Sequence, residues 1–338
     1  MITATVKSKV NEDICVLACP DNHGYSYMFD CGMASLLTVG DVMKLKALFV
    51  THTHIDHFAN FDFVIRNRAG SRDPVIICGP LGIASNVEGR FQSYTWNLIG
   101  KKRSYFEVRE IVDSETVEIY RLCPPQWKKS LIKVQNNEVL FENEQVTVSH
   151  CILDHKIPSI AYRMAEKNTV KIHELPFAPG PWVAQLKDAY LQGDMERDIK
   201  TTSGIIKAKD LFYTLKEQPG YSMGFAMDHL GGGNNHRLLV SFFRNVDELF
   251  IESFFRQVDL DYAIRHHHST AYLSGVLARE ASVKRLNLVH HSRRYLGEVS
   301  DVIEEGMAAF ENRSPNFSKA PISRYSEALP DVETEEVQ

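Results

Sequence analysis

Histidine and aspartate crowd one short stretch of this chain, Thr51-His52-Thr53-His54-Ile55-Asp56-His57-Phe58. Imidazole nitrogen and carboxylate oxygen are donors that zinc prefers. In extended chain His52 and His54 point to the same side and can pinch one metal ion. Asp56 and His57 follow as the chain turns and can face a second ion beside the first. A polar loop with incidental histidines is the plain alternative. The density of donors argues against it, and so does their placement. The stretch follows directly on Leu45-Lys46-Ala47-Leu48-Phe49-Val50, a short apolar run that predicts a buried strand. In α/β proteins chemistry gathers where strands end.

The same arrangement recurs downstream. Asp228 follows the strand-like Met223–Met227, His290 follows Leu286–Val289, and His155 sits in Ile152-Leu153-Asp154-His155-Lys156. Two metals about 3.5–4 Å apart need a bridging carboxylate, and Asp228 is the natural bridge. His155 would complete a first set with His52 and His54, with His150 as the competing donor. His290 would complete a second set with Asp56 and His57, with its neighbour His291 competing. Asp228 as a mere helix cap is the weaker reading, because Gly231-Gly232-Gly233 separates it from the next helical pattern. A water held between two such ions is acidified toward neutral pH and becomes a nucleophile. Nitrogen and oxygen donors suit zinc, and also manganese or iron. A third cluster, His266-His267-His268-Ser269-Thr270, precedes a helix over 271–281. Ser269 or Thr270 would cap that helix, and His266 and His267 read as solvated loop.

The elements that must position these donors alternate along the chain. Strand-like runs cover Ile14–Cys19, Tyr25–Phe29 and Val75–Cys78, the second ending in Asp30-Cys31-Gly32. Helical patterns cover Ala34–Met43, Phe61–Asn67 and Ile83–Leu98. Residues 104–165 read as strand, and Gln135-Asn136-Asn137-Glu138 signals a hairpin between Leu131–Val134 and Val139–Phe141. Residues 166–220 are less regular, with a helix near Val183–Leu191. Strands at 223–227, 249–251 and 286–289 then alternate with helices at 235–246, 271–281 and 299–310. We expect one α/β domain over 1–315, with an insertion at 166–187 and a frayed tail over 316–338.

The 338 residues are 44% hydrophobic and 24% charged, an ordinary globular balance able to bury a sizeable core. The net charge of −5 argues against a general nucleic-acid binder, which carries a basic field. Lys101-Lys102-Arg103 and Lys128-Lys129 are candidate phosphate patches, with a solvated turn as the plainer reading of each. None of the six cysteines forms a Cys-x-x-Cys pair, so buried free thiols in a reducing compartment are the plain reading. The N-terminus has no signal-peptide pattern and no stretch is long enough for a membrane span, so a cytoplasmic protein is expected.

Taken together these segments resemble the metallo-β-lactamase superfamily, through its His-x-His-x-Asp-His signature at 52–57. Within it they resemble ribonuclease Z, the transfer-RNA 3′-end endonuclease family. Phe29-Asp30-Cys31-Gly32 is similar to that family's strand-Asp-Cys-Gly element. Leu153 to Arg163 resembles its histidine-then-Gly-Tyr-Arg stretch, with Ala161 in place of glycine. Pro179-Gly180-Pro181 followed by Leu186-Lys187 is similar to its Gly-Pro exosite, which the resemblance implies is shortened here to 166–187. Phe250-Ile251-Glu252-Ser253-Phe254, His268-Ser269-Thr270 and Leu288-Val289-His290-His291-Ser292-Arg293-Arg294-Tyr295 match its later motifs. The resemblance spans roughly 24–296.

It implies an αββα four-layer sandwich and two Zn2+ ions, held by His52, His54, Asp56, His57, His155, Asp228 and His290. It implies that a metal-bridging hydroxide attacks phosphorus and that Asp56 helps orient it. His268, assisted by Glu252, would protonate the leaving oxygen, because a glutamate orients an imidazole and raises its pKa. It implies a homodimer and an RNA substrate. A small phosphodiester such as a cyclic nucleotide, an ester or lactone, and an inactive metal-binding protein are the alternatives. The chain departs from the family at its opening Gly-Thr-Ser-Ala-Gly loop, at Met33-Ala34-Ser35-Leu36 and at Ala59–Phe63.

Overall fold

The structure, a computed structural model, describes residues 1–21, 23–99, 104–136 and 139–317. An eight-stranded sheet has spatial order β1 to β8. Its strands are β1 (Ile2–Val6), β2 (Val16–Pro20), β3 (Ser26–Phe29), β4 (Leu45–Phe49), β5 (Val75–Pro80), β6 (Phe106–Ile111), β7 (Thr116–Leu122) and β8 (Lys129–Asn136). Strands β3 to β6 run parallel. A second sheet, order β18-β17-β16-β11-β10-β9, comprises β9 (Val139–Glu142), β10 (Val146–His155), β11 (Ile157–Glu166), β16 (Ser222–Ala226), β17 (Glu248–Glu252) and β18 (Arg285–Val289). Here β16, β17 and β18 are the parallel strands.

Side chains alternate across each strand, so each sheet has two apolar faces to bury. Tyr27, Phe29, Ala47 and Phe49 from the first sheet meet Val148, Tyr162 and Phe225 from the second in one core. Phe29 lies 5.1 Å from Phe49 and 5.4 Å from Phe225, ring centre to ring centre. The intervening residues Met28, Leu48 and Ile77 face outward, under α1 (Val39–Met43), α2 (Ile55–Phe58), α3 (Phe61–Arg68) and α4 (Ile83–Gln92). Leu249, Ile251 and Leu288 face the other way, under α6 (Gly233–Phe242), α8 (Ala271–Glu280) and α9 (Val299–Glu311). The result is helices, sheet, sheet, helices. Each fully buried side chain of this kind contributes about 1.5–3 kcal/mol of transfer free energy.

Two sequence expectations change. The 135–138 hairpin does not form: β8 pairs with β7 and β9 with β10, in different sheets. Asn137 and Glu138 themselves lie outside the described residues. The reason is burial, because Leu140 and Phe141 enter the inter-sheet core while Leu131, Ile132 and Val134 remain half exposed on an edge strand. The helices expected over Ala34–Met43 and Ile83–Leu98 are shorter, α1 starting only at its Thr38 cap and α4 ending at Gln92. Lys101–Arg103 and the tail beyond 317 fall outside the described residues. Cys123 is exposed, whereas Cys15, Cys31 and Cys78 are buried thiols.

Between β11 and β16 the chain builds an arm. Strands β12 (Thr169–Ile172) and β15 (Leu215–Gln218) pair as a stem. Beyond them lie α5 (Pro181–Gln192) and the hairpin β13 (Asp198–Thr201) with β14 (Gly204–Lys207). Trp182, Leu186, Ala189, Ile199, Ala208 and Leu211 form a core separate from the sandwich. Gly180-Pro181 begins α5, with Pro181 in the first turn where its missing N–H costs nothing. One more helix, α7 (Leu260–Arg265), precedes the His266–His268 cluster.

Candidate metal centre

Strand ends of both sheets converge on one point. His52 follows β4, His155 ends β10, Asp228 follows β16, Glu252 ends β17 and His290 follows β18. The end of β4 is pinned to the second sheet, because the buried Tyr162 hydroxyl donates to the Val50 carbonyl (2.5 Å) and the Ile160 N–H to that of Thr51 (2.9 Å). Asp228 and His290 both take the left-handed backbone region, at φ 41° and 54°, which is costly for residues other than glycine. These sharp turns leave each donor at the mouth of the sandwich instead of carrying the strand on.

Three groups of donors result among the described residues, the third being Asp228, Glu252 and His268. His52, His54, His155 and Asp228 offer atoms within 4.8 Å of one another, and so do Asp56, His57 and His290. Asp228 joins the groups. Its Oδ2 lies 3.6 Å from Nε2 of His52, 3.5 Å from that of His155 and 3.6 Å from that of His57. His290 closes the other side, with Nδ1 3.0 Å from Asp228 Oδ1 and Nε2 3.5 Å from Asp56 Oδ2. The 3.5–3.6 Å separations are too long for hydrogen bonds. They suit ligands that sit ~2.0–2.1 Å from a shared tetrahedral ion, which places them about 3.4 Å apart.

The protonation pattern points the same way. His57 Nδ1 donates to Asp30 Oδ2 (2.7 Å) and His155 Nδ1 to the His267 carbonyl (2.7 Å). Thr51 Oγ1 gives its proton to Asp30 (2.9 Å), so it accepts from His52 Nδ1 (3.1 Å). Each proton is therefore held on Nδ1, and Nε2 presents a lone pair inward. Nε2 of His52 and of His57 are buried without a hydrogen-bond partner, a costly state that a metal ion relieves. Burial and the neighbouring His57 push the His52 imidazole down to about 2, so it stays neutral. Burial opposes ionisation of Asp228 and Asp56, yet His290 and His57 outweigh it and hold both carboxyls below the usual range. Burial likewise opposes charge on His290, but Asp228 and Asp56 raise it to about 9. The donor set fits a metal centre.

A proton-handling pair stands beside it. His268 Nδ1 donates to the buried Glu252 Oε2 (2.8 Å) and lies 4.0 Å from Asp228 Oδ1. Burial alone would neutralise Glu252; the His268 and His229 imidazoles, the latter with Nδ1 3.1 Å from Oε1, hold it ionised, down to about 2. In return Glu252 and Asp228 overcome burial and raise His268. Phe254 stacks on the His268 ring at 4.0 Å and 8°, fixing its plane.

Of the competing donors, His150 lies mid-strand opposite Tyr162, and His291 turns away to Ser253 (2.9 Å). Neither enters a donor group among the described residues. Thr270, not Ser269, caps α8 by accepting from the Leu273 N–H. Asp30, Thr51, His229 and Phe254 were not singled out as site residues from sequence. Asp30 carried a usable signal, since it too follows a strand.

No family model matches the chain. The short form of human tRNase Z superposes with a TM-score of 0.52 at 18% identity, covering 87% of this chain and 92% of that one. The metallo-beta-lactamase fold protein YhfI from Bacillus subtilis gives 0.53 at 15% identity, covering 92% and 93%. The fold is that of the metallo-β-lactamases. Ribonuclease Z of Deinococcus radiodurans is 27% identical over 284 residues, 79% of this chain and 82% of that protein. Over most of its length this metallo-β-lactamase-fold chain therefore resembles ribonuclease Z, at the level of sequence as well as fold.

Proposed function

We propose that this protein is a metal-dependent phosphodiester hydrolase of the ribonuclease Z type. The observation that carries this reading is a carboxylate, Asp228, that belongs to the donor group of His52, His54 and His155 and lies 3.6 Å from His57 and 3.0 Å from His290 of the other, with His268 4.0 Å away. His52, His54, His155 and Asp228 would hold one ion, and Asp56, His57, His290 and Asp228 a second. Zinc is the metal favoured by this donor set, with manganese or iron as alternatives. When bound, such ions acidify water and stabilise charge on phosphoryl oxygens. Asp56, partly exposed at the mouth, orients the attacking water. His268 is held protonated by Glu252 and gives its proton to the leaving oxygen. Phe254 and Glu252 keep that ring aimed while Asp30 keeps His57 in place.

RNA at a transfer-RNA 3′ end is the substrate we favour, supported by the likeness to proteins named ribonuclease Z. Residues 1–315 act as one domain bearing an arm, in the cytoplasm. A homodimer belongs to the same reading: Met33, Leu36, Val39 and Met43 are each half or more exposed. Among the described residues no helix is long and apolar enough to cross a membrane.

The test is direct. Zinc-loaded protein should hydrolyse bis(p-nitrophenyl) phosphate, and Asp56→Ala should abolish this. No turnover, or equal turnover by the variant, rejects the hydrolase reading. Unprocessed transfer-RNA precursor should be cut after the discriminator base. Cleavage of a cyclic nucleotide or a lactone in its place would reassign the substrate.

A further inference from the structure

Glu252 closes β17 fully buried, so water does not reach its carboxylate and both oxygens need partners from the protein. Oε2 has one in His268 Nδ1, at 2.8 Å. Oε1 is met twice by a single residue, His229. The main-chain N–H of His229 donates to it at 2.7 Å, and the imidazole stands beside it with Nδ1 3.1 Å away. His229 is itself buried, and no hydrogen bond takes its Nδ1 elsewhere among the described residues. Proton transfer by His268 leaves this second imidazole without a task.

The turn that carries His229 is anchored on several sides. Asp228 opens it in the left-handed region, at φ 41°. The Leu230 N–H donates to the Asp154 carbonyl at 2.8 Å, and Asn235 Nδ2 donates to the carbonyls of Asp154 and Leu230, each at 3.0 Å. The Gly231 N–H donates to the His268 carbonyl at 3.3 Å. A Cβ at Gly231 would come within 3.1 Å of Ser269 Cα, so only glycine lets the two segments lie this close without adjustment. One turn therefore holds both members of the proton-handling pair, Glu252 through His229 and His268 through Gly231. The last side-chain torsion of a glutamate is broad, and a carboxylate held at one oxygen alone swings about it. Two groups from a fixed turn on Oε1 remove that freedom and leave Oε2 on His268.

We propose that His229 is a positioning residue for the proton donor: its imidazole and main-chain N–H hold Oε1 of Glu252, so that Oε2 keeps the His268 ring aimed at the leaving oxygen. The proposal rests on the reading of His268 as that donor. It requires the His229 proton on Nδ1, because a lone pair there would face a carboxylate oxygen.

Two measurements test it. In the metal-loaded wild type, nitrogen-15 NMR of labelled histidine should show His229 with a proton on Nδ1. A proton on Nε2 alone overturns the proposal, and this result needs no variant. In turnover, bis(p-nitrophenyl) phosphate releases a nitrophenolate that leaves without a proton, whereas a ribodinucleotide releases an alkoxide that needs one. His229→Phe keeps a ring and the main-chain N–H but loses the imidazole nitrogen. The ratio of kcat on the dinucleotide to kcat on bis(p-nitrophenyl) phosphate should fall tenfold or more in this variant, with KM for the dinucleotide within twofold of wild type. His229→Asn, whose amide nitrogen can stand in for Nδ1, should bring the ratio back to within threefold of wild type. In His229→Phe/His268→Ala the ratio should fall no further than in His268→Ala alone, because residues that act as one unit are not additive. An unchanged ratio in His229→Phe, no recovery in His229→Asn, or a further fall in the double variant overturns the proposal. If His268→Ala itself leaves the ratio unchanged, the reading of His268 as proton donor fails instead, and the NMR result still decides whether His229 holds Glu252.

Discussion

Asp228 Oδ2 stands 3.6 Å from Nε2 of His52 and 3.6 Å from Nε2 of His57. One carboxylate oxygen thus serves imidazoles that belong to different donor groups. Removing it should empty both positions together. Metal content per chain, measured by elemental analysis, should fall to near zero in Asp228→Ala, and phosphodiester turnover to background. Loss of only half the metal would show that the groups are independent.

Chelation should act on stability as well as on activity. A ligand that binds only the folded chain adds about 4 kcal/mol when present at about a thousand times its Kd. Dialysis against a chelator should lower Tm and abolish turnover, and zinc or manganese should restore both. An unchanged Tm would mean that no metal is held in the folded protein.

Asp30 touches no inward-facing nitrogen, yet it accepts from His57 Nδ1 at 2.7 Å and from the Thr51 N–H at 2.7 Å. Partners of metal-binding histidines typically matter by roughly 10–100-fold in metal affinity. We expect Asp30→Asn to weaken zinc binding by that amount, read by competition with a fluorescent chelator. An affinity within twofold of wild type would reduce Asp30 to a packing residue.

The arm has its own core, so its stability should be separable from that of the sandwich. Trp182→Ala removes the largest buried side chain of that core, a change worth about 3–5 kcal/mol. Amide hydrogen exchange should accelerate across 169–218 and stay slow in β4, β16 and β17. Uniform acceleration would show that arm and sandwich unfold as one unit.

Asp247 links β16 to β17, accepting from the Ser222 N–H (2.8 Å) and from Lys284 Nζ (2.6 Å). Partial burial opposes its charge, but Lys284 and Ser222 outweigh it, so its folded pKa lies below the ordinary 3.8. The stabilisation is then fully present above about pH 4 and is lost as pH falls through the depressed folded value. Asp247→Asn should cost about 1 kcal/mol at pH 7, a modest figure because solvent screens the pair. In urea titrations the gap from wild type should close on acidification below pH 4. A constant gap would assign the effect to packing.

What the sequence determined by itself is local. A short apolar run predicts a buried strand such as β4, and a donor placed just after such a run predicts a strand-end site. For the same reason His52, His155, Asp228 and His290 could be named before any contact was seen. Three-dimensional packing decided the rest. Whether Val139–Phe141 pairs with the strand before it or crosses to the other sheet depends on which face is buried, and that is a property of the assembled sandwich. The reach of the arm to Gln218 depends on the pairing of β12 with β15, residues some 45 positions apart, which no local pattern encodes. The hydrogen bond from His57 to Asp30 joins residues 27 positions apart. Only folding could place that carboxylate behind the imidazole and leave Nε2 facing Asp228.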